Sequence, residues 1–125
     1  MSVFTGKELE YLAEQRLGRI ATVGQDGQPH VVPTSFRYNP EHDAIDVGGM
    51  RMSQTKKLRD VQRTGRASIV IDDVLPPWQP RGVEIRGRAE VVAQPTPLIR
   101  IHPERIVSWG IESQVMGEVH ARSVS

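Results

Sequence analysis

The stretch Arg51-Met52-Ser53-Gln54-Thr55-Lys56-Lys57-Leu58-Arg59 gathers cations and hydroxyls where a strand pattern ends and a helix pattern begins. A helix N-terminus presents unpaired backbone N–H groups and the positive end of the peptide dipoles, so it favours an anion. Ser53 and Thr55 add hydroxyl donors there, and Arg51, Lys56 and Lys57 add full charge. Lysines in a first helical turn oppose the dipole at a cost of ~0.3–1 kcal/mol each. A bound phosphate would offset that cost. A plain solvated helix start with surface lysines accounts for the same residues without a ligand.

Two other segments carry possible binding chemistry. Pro33 sits inside the strand pattern Val31-Val32-Pro33-Thr34-Ser35-Phe36. Proline cannot donate to a ladder, so the sheet opens there or that edge is free. Free carbonyls and the Thr34 and Ser35 hydroxyls can then meet a planar heterocycle. An edge proline that only blocks aggregation is the plainer alternative. In Pro76-Pro77-Trp78-Gln79-Pro80 the prolines stiffen a Trp that can stack on a ring or pack in a dimer, and Trp109 carries the same ambiguity. His30, His42, His102 and His120 fall in unrelated elements without metal-ligand spacing. The sequence holds no Gly-x-Ser-x-Gly elbow, Walker A motif or Gly-x-Gly-x-x-Gly. No nucleophile or general base stands out, which suits a protein whose bound cofactor does the reaction.

The elements that must position these residues are well marked. Thr5 with Glu8 makes a capping-box pattern, and Phe4 with Leu9 the flanking hydrophobic pair. A helix is expected from Gly6 to about Arg16, with Leu9, Leu12 and Ala13 on one face and Gly18 as its stop. The period then shortens to about 2. Strands are expected over 19–23, 29–38 and 44–48, the first two joined through Asp26-Gly27. A second helix is expected near 55–63, with Leu58 and Val61 inward and Thr64-Gly65 as its stop. Residues 67–72 read as a strand buried on both sides, and 73–82 as a stiff, irregular, proline-rich loop. Residues 83–92 alternate: Val83, Ile85, Gly87, Ala89 and Val91 face one way. Glu84, Arg86, Arg88 and Glu90 make a solvated or intersubunit salt-bridged face. Two short strands, 98–102 and 106–109, are expected on either side of Pro103, and the residues from Gly110 on lack a clear period. Consecutive hairpins favour an antiparallel sheet, and many short strands favour a barrel, because closure removes exposed edges.

Composition sets the outer bounds. A chain of 125 residues and 38% hydrophobic content suits one folded domain. With no Cys, disulfide, thiol and Cys-ligated zinc chemistry are excluded. No apolar run approaches ~18 residues, so no membrane span is expected. The opening residues do not read as a signal peptide, and a cytoplasmic location is the expectation. A net charge of +1 argues against a life on nucleic-acid phosphates.

Taken in order, five segments resemble one known family. They are Phe4-Thr5…Tyr11-Leu12…Arg16–Val23, Asp26–Pro33, Thr55–Asp60, Pro80–Ala89 and Arg105–Gly110. Together they resemble the pyridoxamine 5′-phosphate oxidase-like superfamily, with the nearest look to its actinobacterial branch of F420 (deazaflavin)-dependent oxidoreductases. The resemblance covers about residues 3–111. It implies a mainly β, antiparallel split β-barrel with two short helices, spanning 1–111 as a single domain with 112–125 as a tail. It further implies a homodimer with cofactor sites at the subunit interface. The ring would lie against Val32, Pro33, Thr34 and Ser35. The phosphate would be held by Arg51, Ser53, Thr55, Lys56 and Lys57, with Trp78 bordering the site. The expected activity is hydride transfer from coenzyme F420 to an unidentified small organic acceptor. FMN is the alternative cofactor, and a flavin-sequestering protein without catalysis the alternative function. A basic groove lined by Arg51, Arg59 and Arg81 would favour F420 through its acidic oligoglutamate tail. The wording Gly49-Met50-Arg51-Met52 departs from the family pattern at the approach to the phosphate.

Overall fold

Thr5 opens the first helix through two reciprocal bonds. Its Oγ1 accepts from the Glu8 N–H at 3.1 Å, and Glu8 Oε1 accepts from the Thr5 N–H at 2.9 Å. In the computed structural model, which describes residues 1–124, this helix (α1) spans Gly6–Glu14. It stops earlier than the spacing suggests, because Gln15 is already extended. Gly18 does not close it. Gly18 lies inside strand β1 (Leu17–Val23), where a Cβ would stand 3.2 Å from the side chains of Ile69 and Ile71. The buried face of α1 carries Glu8, Tyr11 and Leu12, while Ala13 is exposed.

Gly27, at φ +84°, turns the chain from β1 into β2 (Pro29–Ser35). The long return strand expected over 29–38 breaks at Phe36 and restarts as β3 (Arg37–Asn39), which pairs with β4 (Ala44–Val47). A 3-10 turn (Met52–Gln54) leads into helix α2 (Lys56–Thr64). Thr55 caps its start, and Gly65 ends it at φ +68°.

β5 (Arg66–Leu75) and β6 (Gln79–Val92) form one long hairpin, in register from Arg66↔Arg88 to Leu75↔Gln79. The proline-rich segment is therefore a tight turn at residues 76–78 and not an irregular loop. Cross-strand pairing carries the ladder past Asp73 and up to the prolines. β5 is covered on one face only: Ala67, Ile69 and Ile71 are buried, whereas Asp72 and Val74 are exposed.

β7 (Leu98–Trp109) is a single strand, although two were expected around Pro103. A register shift opposite Arg86/Gly87 accommodates Pro103, so the ladder resumes beyond it. Gly87 makes this bulge possible, since a Cβ there would meet the His102 carbonyl oxygen at 1.9 Å. The segment after Gly110 adds β8 (Val119–Ser123), which pairs with the second half of β7.

The strand order is β2-β1-β5-β6-β7-β4-β3, antiparallel throughout, with β8 beside β7. The sheet curls around one core built largely of Ile20, Ile45, Ile69, Ile71, Ile85, Ile99, Ile101 and Ile106. Its two ends, β2 and β3, do not pair with each other, so the barrel is split and keeps open edges. Among the described residues no helix is long and apolar enough to cross a membrane.

Candidate functional site

The corner between β4 and α2 is built by local chemistry. Arg51 adopts a left-handed conformation at φ 57°, which turns the chain into the 3-10 turn. Thr55 then works twice: its Oγ1 donates to the Met52 carbonyl at 2.8 Å and accepts from the Leu58 N–H at 3.3 Å. Leu58 and Val61 anchor the helix in the core. Thr55 thereby satisfies the Leu58 and Arg59 N–H groups of the first turn, and those of Lys56 and Lys57 have no intrahelical partner.

The lysine pair splits. Lys56 Nζ lies 3.3 Å from both carboxylate oxygens of Asp60, one turn along the helix. It also reaches the β1–β2 turn, where a Cβ on Gly24 would stand 2.8 Å from it. Asp60 is only 4% exposed and accepts a second bond from Thr22 Oγ1 at 2.8 Å. Burial alone would raise its pKa, but the Thr22 and Lys56 bonds outweigh that and hold it below the usual carboxylate range. Lys57, Arg51, Arg59 and Arg63 have no carboxylate partner among the described residues, although most other arginines do.

Positive charge without counter-charge is thus concentrated on one corner and one helix. Lys56, Arg59, Asp60 and Arg63 line a hollow of ≈ 480 Å³ together with Gln25 and Asp26 of the β1–β2 turn. Of the groove expected from Arg51, Arg59 and Arg81, only Arg59 lines this hollow; Arg81 is held elsewhere. It forms a bidentate pair with Asp73 at 2.8 and 3.0 Å and stacks over the Tyr11 ring at 4.9 Å.

β2 lies at the end of the sheet path, so Pro33 is on an edge strand. Alternation divides the four expected ring contacts between two faces. Val32 and Thr34 turn inward, half-buried and buried, and Pro33 and Ser35 are exposed. His30 shares the inward face, and its Nδ1 is buried without a hydrogen-bond partner. That unmet bond next to Val32 fits a ring bearing polar atoms along this edge. It escaped the sequence reading because a lone His carries no spacing signal.

Trp78 is 63% exposed at the tip of the β5–β6 hairpin and shares no element, hydrogen bond or ion pair with the α2 corner. A single chain therefore keeps Arg51, Ser53, Thr55, Lys56 and Lys57 contiguous at the β4–α2 corner, with only Lys56 of the five lining the hollow, divides Val32–Ser35 between two faces of an edge strand, and leaves Trp78 on a separate arm. Among the described residues no group of three or more His, Asp or Glu could hold a metal ion.

Comparison with known proteins adds independent findings. The family model described as pyridoxamine 5′-phosphate oxidase matches residues 4–122. A 5a,11a-dehydrotetracycline/5a,11a-dehydrooxytetracycline reductase of Streptomyces rimosus is 42% identical, covering 98% of this chain and 94% of its own. Among solved structures, the conserved hypothetical protein Rv2991 of Mycobacterium tuberculosis superposes with a TM-score of 0.75 at 21% identity, over 91% of this chain and 89% of that one. A heme binding protein from Mycobacterium smegmatis gives 0.72 at 16% identity, over 97% and 59%. An FAD binding protein from Mycobacterium smegmatis gives 0.67 at 21% identity, over 87% and 97%. At these identities the structural likenesses establish the split-barrel fold.

Proposed function

The chain belongs to the pyridoxamine 5′-phosphate oxidase family, and on that premise we propose that it is a flavin-type oxidoreductase that uses coenzyme F420 to reduce an organic acceptor. The observation that carries this reading is the 42% identity with a reductase over nearly the whole chain. The acceptor class follows from that relative's name: a fused-ring compound with a reducible double bond. When bound in its reduced form, the deazaflavin supplies a hydride, and one proton from solvent completes the addition of two hydrogens to the acceptor.

The chain's own residues supply binding and orientation. Lys57, Arg51, Ser53 and the first N–H groups of α2 hold the phosphate, with Thr55 fixing the helix start. Lys56 contributes less charge, because Asp60 already neutralises it. The Val32–Ser35 edge lies along the ring, and His30 Nδ1 gains its missing partner there. In the hollow shared with Asp26 and Asp60, Arg59 and Arg63 are the cations without a carboxylate partner, and their charge supports F420 over FMN through its acidic tail. The working unit is a homodimer, in which Trp78 from one subunit borders the site of the other.

Parallel fluorescence titrations with F420 and with FMN at one salt concentration test the reading. Tight F420 binding with weak FMN binding is expected, with Lys57→Ala weakening F420 roughly tenfold or more. Tight binding of FMN alone moves the protein to the flavin branch. Unchanged affinity in Lys57→Ala overturns the phosphate site.

A further inference from the structure

Helix α2 and the β1–β2 turn enclose the basic hollow between them. Lys56, Arg59, Asp60 and Arg63 recur at three- and four-residue steps, so they share one face of the helix. Opposite them the turn is closed by its own bonds. The Gly27 N–H donates to the Gly24 carbonyl at 2.9 Å, and Asp26 Oδ1 accepts from the Gln28 N–H at 3.0 Å. Arg63 donates to the Val23 carbonyl, and Arg59 Nη1 donates to the Gln54 carbonyl at 3.2 Å. Carbonyl partners are neutral, so both guanidinium groups keep their charge.

The lining holds three cations, Lys56, Arg59 and Arg63, and two carboxylates, Asp26 and Asp60. The carboxylates are not equivalent. Asp60 is buried, pairs with Lys56 and cancels its charge. Asp26 is exposed, and no Lys, Arg or His pairs with it among the described residues. It nevertheless faces the same space as Lys56. Lys56 Nζ and Asp26 Oδ1 both close on Gly24, where a Cβ would stand 2.8 Å from one and 3.1 Å from the other. With Lys56 neutralised by Asp60, Asp26 is the carboxylate left to oppose Arg59 and Arg63.

We propose that Asp26 is a specificity-determining residue for the acidic tail of the cofactor. It offsets one of the two unpaired arginines, so the hollow holds one carboxylate of the tail and draws no added affinity from the rest. The assignment rests on the F420 reading above. Each further carboxylate brought to the hollow meets the like charge of Asp26, which costs as much as the second arginine returns. Asp26→Asn removes that charge and keeps the side-chain oxygen that accepts from Gln28, so the turn stays closed.

The parent chain and Asp26→Asn are titrated by fluorescence with F420 bearing one glutamate and with F420 bearing five, at about 20 and about 200 mM salt. The parent should bind the longer form no tighter than the shorter, within about twofold. Asp26→Asn should prefer the longer form roughly threefold or more at the lower salt, and screening should erase that preference at the higher salt. A merely structural role for Asp26 would change both affinities together, without regard to tail length or salt. A preference for the longer form in the parent, or the same ratio in parent and Asp26→Asn, overturns the role of Asp26 while the cofactor reading stands. If neither form binds the parent chain, the F420 reading itself falls, and the role of Asp26 with it.

Discussion

Asp60 shows what single residues contribute. It is a buried carboxylate whose charge is matched by Lys56 and Thr22, and the three groups tie α2 to β1. Its folded pKa lies below its unfolded value, near ~3.9. The stabilisation is therefore complete above that value and is lost as pH falls through the folded pKa. Asp60→Asn should lower stability at pH 7 by about 2 kcal/mol, the worth of a hydrogen bond to a charged group. It should also flatten the loss of stability below about pH 4, read by urea unfolding across pH. A slope identical to that of the parent chain would refute the role. The run of cations around Lys57 was legible in the sequence, because its residues are contiguous at a strand-to-helix junction, although a plain solvated helix start reads the same way. Which lysine stays unpaired was not legible. That depended on Asp60 lying one turn ahead and on Gly24 leaving room for Lys56.

At the scale of elements, helix boundaries with explicit caps were readable. The Thr5–Glu8 box and the Thr55 and Gly65 caps are local chemistry, decided within four residues. Strand continuity was not readable across prolines. Pro103 suggested a break, yet β7 runs through it, because a bulge opposite Gly87 absorbs the mismatch. Gly87→Ala should be among the most damaging small substitutions in the chain. The added methyl would press on the His102 carbonyl, at a cost of about 3 kcal/mol, the upper range for overpacking. Thermal unfolding checks this, and a melting temperature near that of the parent chain would contradict the tight bulge. The prolines at 76–80 likewise misled, because Pro76 and Pro77 sit in the turn of a hairpin whose ladder starts at once with Leu75↔Gln79 and takes in Pro80 opposite Val74.

At the scale of the molecule, the sheet presents an outer face carrying exposed Leu17, Val23, Val31 and Val74, and its path ends on an open edge at β2. Val23 and Val31 stand towards one end of this face and Leu17 and Val74 towards the other, with the Arg19–Asp72 ion pair between them, and together with the open β2 edge they suit a second copy. In the proposed homodimer this face is buried. Native mass measurement should give twice 14.0 kDa, and Val31→Asp should shift the protein towards monomer and weaken cofactor binding with it. A parent chain that is monomeric at micromolar concentration would remove the intersubunit site.

The sequence alone determined the helices, most strands, the mixed α and β order and the corner where cations gather. All of these rest on propensity, capping and period, which act over a few residues. The tertiary structure decided which strands run unbroken, which cations are neutralised, that β8 returns to β7, and that Trp109 lies across Gly82. Those outcomes depend on close approaches between distant segments, at Gly82, Gly87 and Gly110, where a glycine marks the place but does not name its neighbour.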